Sequence, residues 1–246
     1  GRGLRLLGGL TLGTGMAAPV LLVMGGATAG TERANGFTAD LILNQSVHPF
    51  SLLQAVIGNL YGDLANIPNR WWGVNFFEHG FPYILSLYLG PLVLSLALTG
   101  ASRRHPLALR ILILGGLGLA VALGRWGLPG LLVEHLPAAL RVFRFPTKAF
   151  FTVHLAVALF AAFGLQVLAS APPRTWRRYV IVSLGVGSLL ALTPLIPRLL
   201  PEPTRWFLLH FFAPGTPGAV AVRTLDEILT DAAHGGLLAL LGGAAG

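Results

Sequence analysis

The most constraining feature of the sequence is a long apolar run without charged residues, at 149–170. About twenty such residues in a helix are enough to cross the hydrocarbon core of a bilayer. Pro146 lies three residues before the run, and proline suits the first turn of a helix because its missing N–H would have no partner there. We therefore predict a membrane-spanning helix over 149–170, with Pro146 in its first turn.

The composition extends this prediction to the whole chain. Hydrophobic residues make up 54% of the 246 residues and charged residues only 11%, against about 25% charged in an average soluble domain. We expect an all-α fold: a single polytopic transmembrane helical bundle of about six spans, with outward loops that carry short interfacial helices. The expected spans are 4–26, 82–100, 107–124, 149–170, 179–200 and 234–246.

The charged residues indicate how such a bundle is oriented. The ends and short loops at 1–5, 101–110 and 171–178 contain eight cations and no acid (Arg2, Arg5, Arg103, Arg104, Arg110, Arg174, Arg177 and Arg178), whereas all acids lie in the long loops. Short basic loops mark the cytoplasmic side, so we expect a bacterial inner-membrane protein with its long loops facing outward. The net charge of +8 then reflects topology and membrane lipids, and nucleic acid is not an expected partner.

Several local patterns predict finer details. His48-Pro49 predicts a short interfacial helix with Ser51 and Gln54 on its polar side. Thr224 and Glu227 form a capping-box pattern that predicts the start of the last helix. Small residues allow helices to approach closely in lipid, so the glycines of the first and third runs predict packing inside the bundle (Gly8, Gly9, Gly13, Gly15, Gly115, Gly116 and Gly118).

The strongest candidate site is a group of cations at the start of the fourth span. Arg141, Arg144 and Lys148 lie among aromatic residues just before the apolar run. Cations beside a helix N-terminus can bind a phosphate, here that of a lipid or a lipid-linked substrate. The alternative is ordinary anchoring of a helix end to lipid headgroups.

Other polar residues are candidates for chemistry. His154, inside the fourth span, could ligate a metal, a haem or a pigment, or could hydrogen-bond a neighbouring helix. Asp63, Glu78 and His79 in the first long loop could supply a general base or hold a divalent cation, or could simply be solvated. The absence of cysteine excludes disulfides and thiolate metal sites.

The order of these features resembles bacterial membrane proteins of the YfhO type. In that family a span ends in "LALG", a short outer helix ends in proline, and an "fRfP-x-K/R" element begins a span that finishes in "aGlGl". The corresponding segments here are 122–124, Pro137, 144–148 and 162–165. The outer loop GFTADLILNQSVHPFSLLQAVIGNLYGD and the span FPYILSLYLGPLVLSLAL are also similar, so that the resemblance covers roughly residues 30–170.

The resemblance implies a glycosyltransferase of the GT-C class. Such enzymes transfer a sugar from a polyprenyl-phosphate lipid on the outer face of the membrane, in some cases with a divalent cation. Arg144 and Lys148 match the cations that hold the carrier phosphate. The catalytic acid of the class would precede Gly1, so the sequence is expected to be a fragment whose catalytic residues are unknown.

Two other functions remain open from the sequence. The chain could be a non-catalytic accessory subunit of a larger membrane complex, in which His154 faces a haem or pigment. It could also be a transporter, since proline-kinked spans fit that class, although the paired broken helices typical of transporters are not evident.

Overall fold

The protein was analysed as a computed structural model, which describes residues 2–28, 30–62, 71, 73–101, 106–137, 141, 143–169, 173–212 and 218–244. Every described element of regular structure is a helix, apart from one isolated antiparallel bridge between Gly62 and Trp71. The prediction of an all-α fold is therefore confirmed.

Six long helices occur in the described part of the chain. They are α1 (Arg2–Thr28), α2 (Pro91–Ala101), α3 (Ala108–Ala122), α4 (Phe150–Ala169), α5 (Pro173–Ala191) and α6 (Gly218–Ala244). Short α-helices span Ala39–Leu43, Leu128–Leu132, Leu195–Leu199 and Pro201–Phe207, and a π-helical turn spans Leu208–Phe212. Single 3₁₀ turns span Glu32–Asn35, Pro49–Ala55, Gly73–Asn75, Glu78–Gly80, Gly124–Trp126, Val133–His135 and Pro146–Ala149.

Each predicted span overlaps one long helix, but the bounds of three predicted spans were substantially wrong. The predicted span 82–100 becomes helical only at Pro91. The backbone N–H groups of Leu89 and Gly90 instead donate to the carbonyl of Ala55, at 2.9 and 3.2 Å. Gly90 has φ +84°, a conformation that ends regular structure. The two hydrogen bonds to Ala55 tie the end of the 82–90 segment to the 49–55 segment.

The fifth and sixth predicted spans also begin earlier than expected. Helix α5 starts at Pro173, so the basic residues 174–178 belong to its first turns rather than to a loop, and it ends at Ala191, shortly before Pro194. Helix α6 starts at Gly218, which places Thr224 inside the helix. The capping-box prediction is therefore wrong, whereas the expected break near Pro194 is confirmed.

Close backbone contact between α2 and α4 organises the bundle. A Cβ atom on Gly100 would lie 2.0 Å from the carbonyl oxygen of Phe160, and one on Gly164 would lie 2.1 Å from that of Leu96. Only glycine fits at such a crossing. Helix α3 also packs against α4, where a Cβ on Gly115 would meet Ala156 at 2.8 Å.

The glycine predictions therefore have mixed outcomes. Gly118 also lies against α4, beside Thr152, whereas a Cβ on Gly116 would meet nothing within 4 Å. In α1, a Cβ on Gly8, Gly9, Gly13 or Gly15 would likewise meet nothing within 4 Å, and most described side chains are exposed. The expectation that α1 packs inside the bundle formed by this chain is therefore wrong.

The bundle buries several polar side chains and exposes many large apolar ones. Ser95, Thr99 and Ser183 are at most 1% exposed, whereas Leu98 is 53% and Leu189 is 72% exposed. The hydroxyls of Ser95 and Thr99 donate to backbone carbonyls one turn earlier, at 2.8 and 2.9 Å. Polar groups thus lie between helices while large apolar side chains face outward.

The turn at 49–55 also buries polar side chains and exposes apolar ones. It begins after His48 as predicted, but Ser51 and Gln54 are buried, while Phe50 and Leu53 are exposed. The expected orientation of its polar side was therefore wrong. Ser51 and Gln54 point into the protein because the turn at 49–55 packs against the residues that precede α2.

The bundle has two distinct ends. Val47, Leu87, Ala122 and Phe150 share one apolar cluster, which brings the start of α4, the end of α3 and the first long loop together. We call this the loop end. The opposite end contains Ala101 of α2, Ala169 of α4 and the first turns of α5. Within the described residues, one helix, Pro146–Ala169, has the length and apolar composition needed to cross a membrane.

Candidate functional site

The candidate site is built around Phe145 at the loop end. Phe145 has φ 63° and ψ 73° and directly precedes the turn Pro146–Ala149 that leads into α4. A following proline excludes the ordinary helical conformation, and a left-handed conformation is rare for a bulky residue. Strained residues of this kind cluster at functional sites because the surrounding structure must hold them in place.

Two cations flank the ring of Phe145. The guanidinium carbon of Arg144 lies 4.6 Å from the ring centroid, and the Lys148 ammonium lies 5.1 Å from it. Tyr83 stacks on the same ring with 4.6 Å between centroids, and its own ring lies 5.3 Å from the Lys148 ammonium. These distances are within the range of cation–π attraction, so the aromatic rings hold both charges close together.

Arg141 joins the same group through Phe37. The backbone N–H of Phe37 donates to the carbonyl of Arg141 at 2.9 Å, and the Arg144 guanidinium lies 5.4 Å from the Phe37 ring. The Nε atom of Arg141 is buried and has no hydrogen-bond partner among the described residues. We call Arg141, Arg144 and Lys148 the cation cluster.

The electrostatic position of the cation cluster is unfavourable without an anion. The N-terminus of a helix carries partial positive charge, so cations there are repelled rather than stabilised. Neither Arg144 nor Lys148 forms an ion pair with a carboxylate in the described part of the chain. Both side chains are exposed. The arrangement therefore concentrates positive potential at one accessible point.

A small pocket adjoins the cation cluster. It is lined by Tyr83 and Thr147 on the cluster side and by Gln45, Ser46 and Ser51 elsewhere, together with apolar side chains. It is shallow: the empty space of about 250 Å³ around its lining includes open solvent. None of the described residues that line it carries a charge.

Glu78, a predicted base or metal ligand, is held by other protein groups. Its carboxylate forms an ion pair with Arg125 at 2.5 Å and accepts a hydrogen bond from the backbone N–H of Gln45. The Gln45 side-chain amide donates back to the Glu78 carbonyl at 3.2 Å. These contacts tie the first long loop to the end of α3, which is a positioning role.

The other loop candidates have different outcomes. His79 lies beside Asn44, with 3.0 Å between its Nε2 and the Asn44 amide nitrogen, and it has φ 59°. Asp63 lies outside the described residues. No group of three residues able to hold a metal ion occurs among those that the structure describes.

His154 is half-buried in α4 and lies apart from these loop residues. Its Nδ1 is 3.2 Å from the carbonyl oxygen of Phe150 one turn earlier, and its ring meets that of Phe150 edge-on. This contact leaves Nε2 as the nitrogen for any ligand. The haem or pigment prediction for His154 stays a prediction.

Sequence reasoning identified the cations but missed the residues that position them. Tyr83, Gln45 and Thr147 carried no motif, and Tyr83 reaches Phe145 from a segment, 82–90, that is not helical as predicted. Arg125 gave one usable signal, since a cation at the end of an apolar run can pair with an acid in a neighbouring loop.

Comparison of the chain with protein-family models, with curated proteins and with solved structures finds no match.

Proposed function

We propose that the chain is a multi-pass membrane protein whose cation cluster binds the phosphate of a lipid-linked substrate at the outer surface. The substrate class proposed is a polyprenyl-phosphate-linked sugar, as used in GT-C-type glycosyl transfer. The observation that carries this proposal is the pair Arg144 and Lys148, gathered around one ring at a helix N-terminus without a described carboxylate partner.

The large exposed apolar side chains and the buried polar ones support a membrane location. Exposed leucines on α2 and α5 would face water in a soluble protein, whereas in lipid they lose nothing by facing the hydrocarbon chains. The buried hydroxyls of Ser95 and Thr99 bond within their own helix, which fits the same environment because unpaired polar groups are costly there. The length and composition of the helix Pro146–Ala169 agree with this location.

The position of the cation cluster supports phosphate as the ligand. It lies at the N-terminal end of that apolar helix, the depth at which lipid headgroups would lie if α4 spans a bilayer. Arginine forms paired hydrogen bonds with phosphate oxygens, and lysine adds a compact charge.

The proposal assigns this chain the binding of the carrier phosphate and not the whole reaction. Glu78 is occupied by Arg125 and Gln45, so it is a poor general base. In the transfer reaction the phosphate gains negative charge as the sugar leaves, and cations at that point stabilise the developing charge. The acid that activates the acceptor is not assigned.

The test measures binding of a short-chain polyprenyl phosphate to the purified protein by native mass spectrometry. Arg144→Ala/Lys148→Ala should weaken binding by at least about 10-fold, because charge-assisted hydrogen bonds contribute about 1.5–3 kcal/mol each. Glycosyl transfer by membranes containing the double variant should be lost while the protein still inserts. Unchanged lipid binding in this variant would refute the proposal.

The matched control is Arg174→Ala/Arg178→Ala. It removes the same charge from the exposed N-terminal turns of α5, at the opposite end of the bundle. We expect less than about a twofold change, since only non-specific attraction to anionic lipid is lost there. A loss equal to that of the first variant would indicate general headgroup anchoring instead of a site.

One observation favours an accessory membrane subunit as a second candidate. Helix α1 exposes large apolar side chains, including Leu4 at 79% and Met16 at 76%, a surface on which other membrane helices could pack. Under this alternative the chain copurifies with other subunits, and a haem or pigment facing His154 gives the complex a visible absorption band. A colourless, monodisperse preparation of the chain alone would count against it.

A further inference from the structure

Tyr83 reaches the cation cluster from a segment that is distant in sequence. Its ring stacks on Phe145, with 4.6 Å between the centroids and 24° between the ring planes. The Lys148 ammonium lies 5.3 Å from the Tyr83 centroid and 5.1 Å from the Phe145 centroid. Because these two distances are nearly equal, the ammonium is attracted by both rings and not by Phe145 alone.

The residues that follow Tyr83 fix its position. Leu87 is buried, and Ile84 packs with it in the apolar cluster that also contains Phe150. Phe150 lies two residues after Lys148, so Tyr83 and Lys148 are held in register by one shared cluster. The Tyr83 ring is therefore a fixed surface, although it is 46% exposed.

Lys148 differs in type from every other cation of the chain. It is the only lysine, and the remaining 16 of the 17 cationic side chains are arginines. A lysine side chain loses more freedom for each hydrogen bond it forms than the planar arginine fork does. Rings that already restrict the ammonium reduce the entropy that is lost when an anion binds.

We propose that Tyr83 is a positioning residue of the phosphate site and acts through Lys148. This inference rests on the proposed function of the cation cluster and specifies what preorganises it. Tyr83 holds the ammonium beside Phe145 before the lipid binds, and the exposed side of the ammonium contacts the phosphate. Arg144 has a ring contact of its own with Phe37, so it depends less on Tyr83.

The test measures binding of a short-chain polyprenyl phosphate by native mass spectrometry. Tyr83→Leu removes the ring but keeps an apolar side chain, and we expect it to weaken binding by about 2- to 10-fold, the factor for immobilising one flexible side chain. Tyr83→Phe keeps the ring and should bind as the unmodified protein does. In a Lys148→Ala background, Tyr83→Leu should cause no further loss, because the residue through which Tyr83 acts is already absent.

Tyr88→Leu is the matched control. Tyr88 lies on the same 82–90 segment and is 42% exposed, and its ring lies beside Gly58. We expect this variant to bind the lipid unchanged. Equal weakening by both leucine variants, or a further loss from Tyr83→Leu without Lys148, would mean that the segment matters only for folding and that the inference is wrong. Stronger binding by Tyr83→Leu would also refute it, because the rings would then compete with the phosphate for the ammonium.

A second measurement does not depend on the phosphate. Because Lys148 is the only lysine, an amine-reactive ester followed by peptide mass spectrometry reports on this side chain alone. Without lipid, Tyr83→Leu should raise the acylation rate of Lys148 by about twofold or more, the factor for one exposed cation–π contact, whereas Tyr83→Phe should not. An unchanged rate in Tyr83→Leu would refute the role of Tyr83. If Arg144→Ala/Lys148→Ala leaves lipid binding unchanged while the acylation rate still rises in Tyr83→Leu, the phosphate proposal fails and Tyr83 still positions Lys148.

Discussion

At the residue scale, Phe145 shows what local sequence can and cannot predict. The pattern of Arg144, Pro146 and Lys148 correctly predicted that a helix begins at Pro146 with cations at its mouth. It could not predict that Phe145 adopts a left-handed conformation and receives Tyr83 from a distant segment. That contact depends on long-range packing, which leaves no trace in the spacing of neighbouring residues.

His48 provides a pH-dependent prediction at the same scale. Its Nδ1 accepts a hydrogen bond from the backbone N–H of Phe50 at 3.2 Å and so caps the turn Pro49–Ala55. Its ring contacts are Phe50, Phe76 and Trp126, none of which carries a charge. Burial lowers the pKa of His48 below the ordinary histidine value of 6.5.

The lowered pKa of His48 determines how stability changes with pH. At pH values between the lowered pKa of the folded protein and 6.5, His48 is protonated in the unfolded chain but not in the folded protein. The contribution of His48 to stability is therefore complete above about pH 6.5 and is lost as the pH falls. We expect His48→Asn, which retains a capping oxygen, to reduce the drop in Tm between pH 7.5 and pH 5. His135→Asn, at an exposed position, is the control. An unchanged drop in His48→Asn would contradict this role.

At the element scale, helix positions could be predicted and helix boundaries only in part. Apolar runs located all six long helices, because a long apolar segment has few alternatives to a helix. The start of α2 was missed because hydrogen bonds from Leu89 and Gly90 to Ala55 replace helical ones. The start of α6 was missed because a capping pattern is equally compatible with a helix interior.

The crossing of α2 and α4 gives a prediction at this scale. In Gly164→Ala the new Cβ would lie 2.1 Å from the backbone oxygen of Leu96, so the helices must move apart. We expect a loss of about 1–3 kcal/mol in unfolding free energy, as is typical of overpacking, measured by denaturation in detergent micelles.

Gly116→Ala is the matched control for this substitution. It adds the same methyl group to α3, where nothing lies within 4 Å, and alanine favours a helix over glycine by roughly 0.5–1 kcal/mol. We therefore expect unchanged or slightly higher stability. Equal destabilisation by both variants would show that the glycine at the crossing has no special role.

At the scale of the whole molecule, the two ends of the bundle are expected to face opposite sides of the membrane. The natural sequence contains no cysteine, so single cysteine variants report one position each. Phe143→Cys, at a 73% exposed position of the loop end, should react with a membrane-impermeant maleimide in intact spheroplasts. Arg178→Cys, at the start of α5, should react only after permeabilisation.

A third variant tests the lipid-facing surface itself. Leu112 on α3 is 62% exposed, yet Leu112→Cys should remain unlabelled on both sides because hydrocarbon excludes the reagent and keeps the thiol protonated. Rapid labelling of all three variants in intact cells would contradict a membrane location. Mass spectrometry of the labelled protein gives the extent of reaction.

Under the proposed membrane location, the lengths of α2 and α3 bear on the shape of the surrounding bilayer. At a rise of about 1.5 Å per residue, the 11 residues of α2 and the 15 of α3 extend roughly 16 and 22 Å, less than the hydrocarbon thickness of about 30 Å. Lipids adapt to short helices by thinning. A local depression of the outer leaflet beside α2 and α3 would lower neighbouring headgroups toward Tyr83 and Lys148, so that lipids would reach the cation cluster by lateral diffusion along the membrane surface.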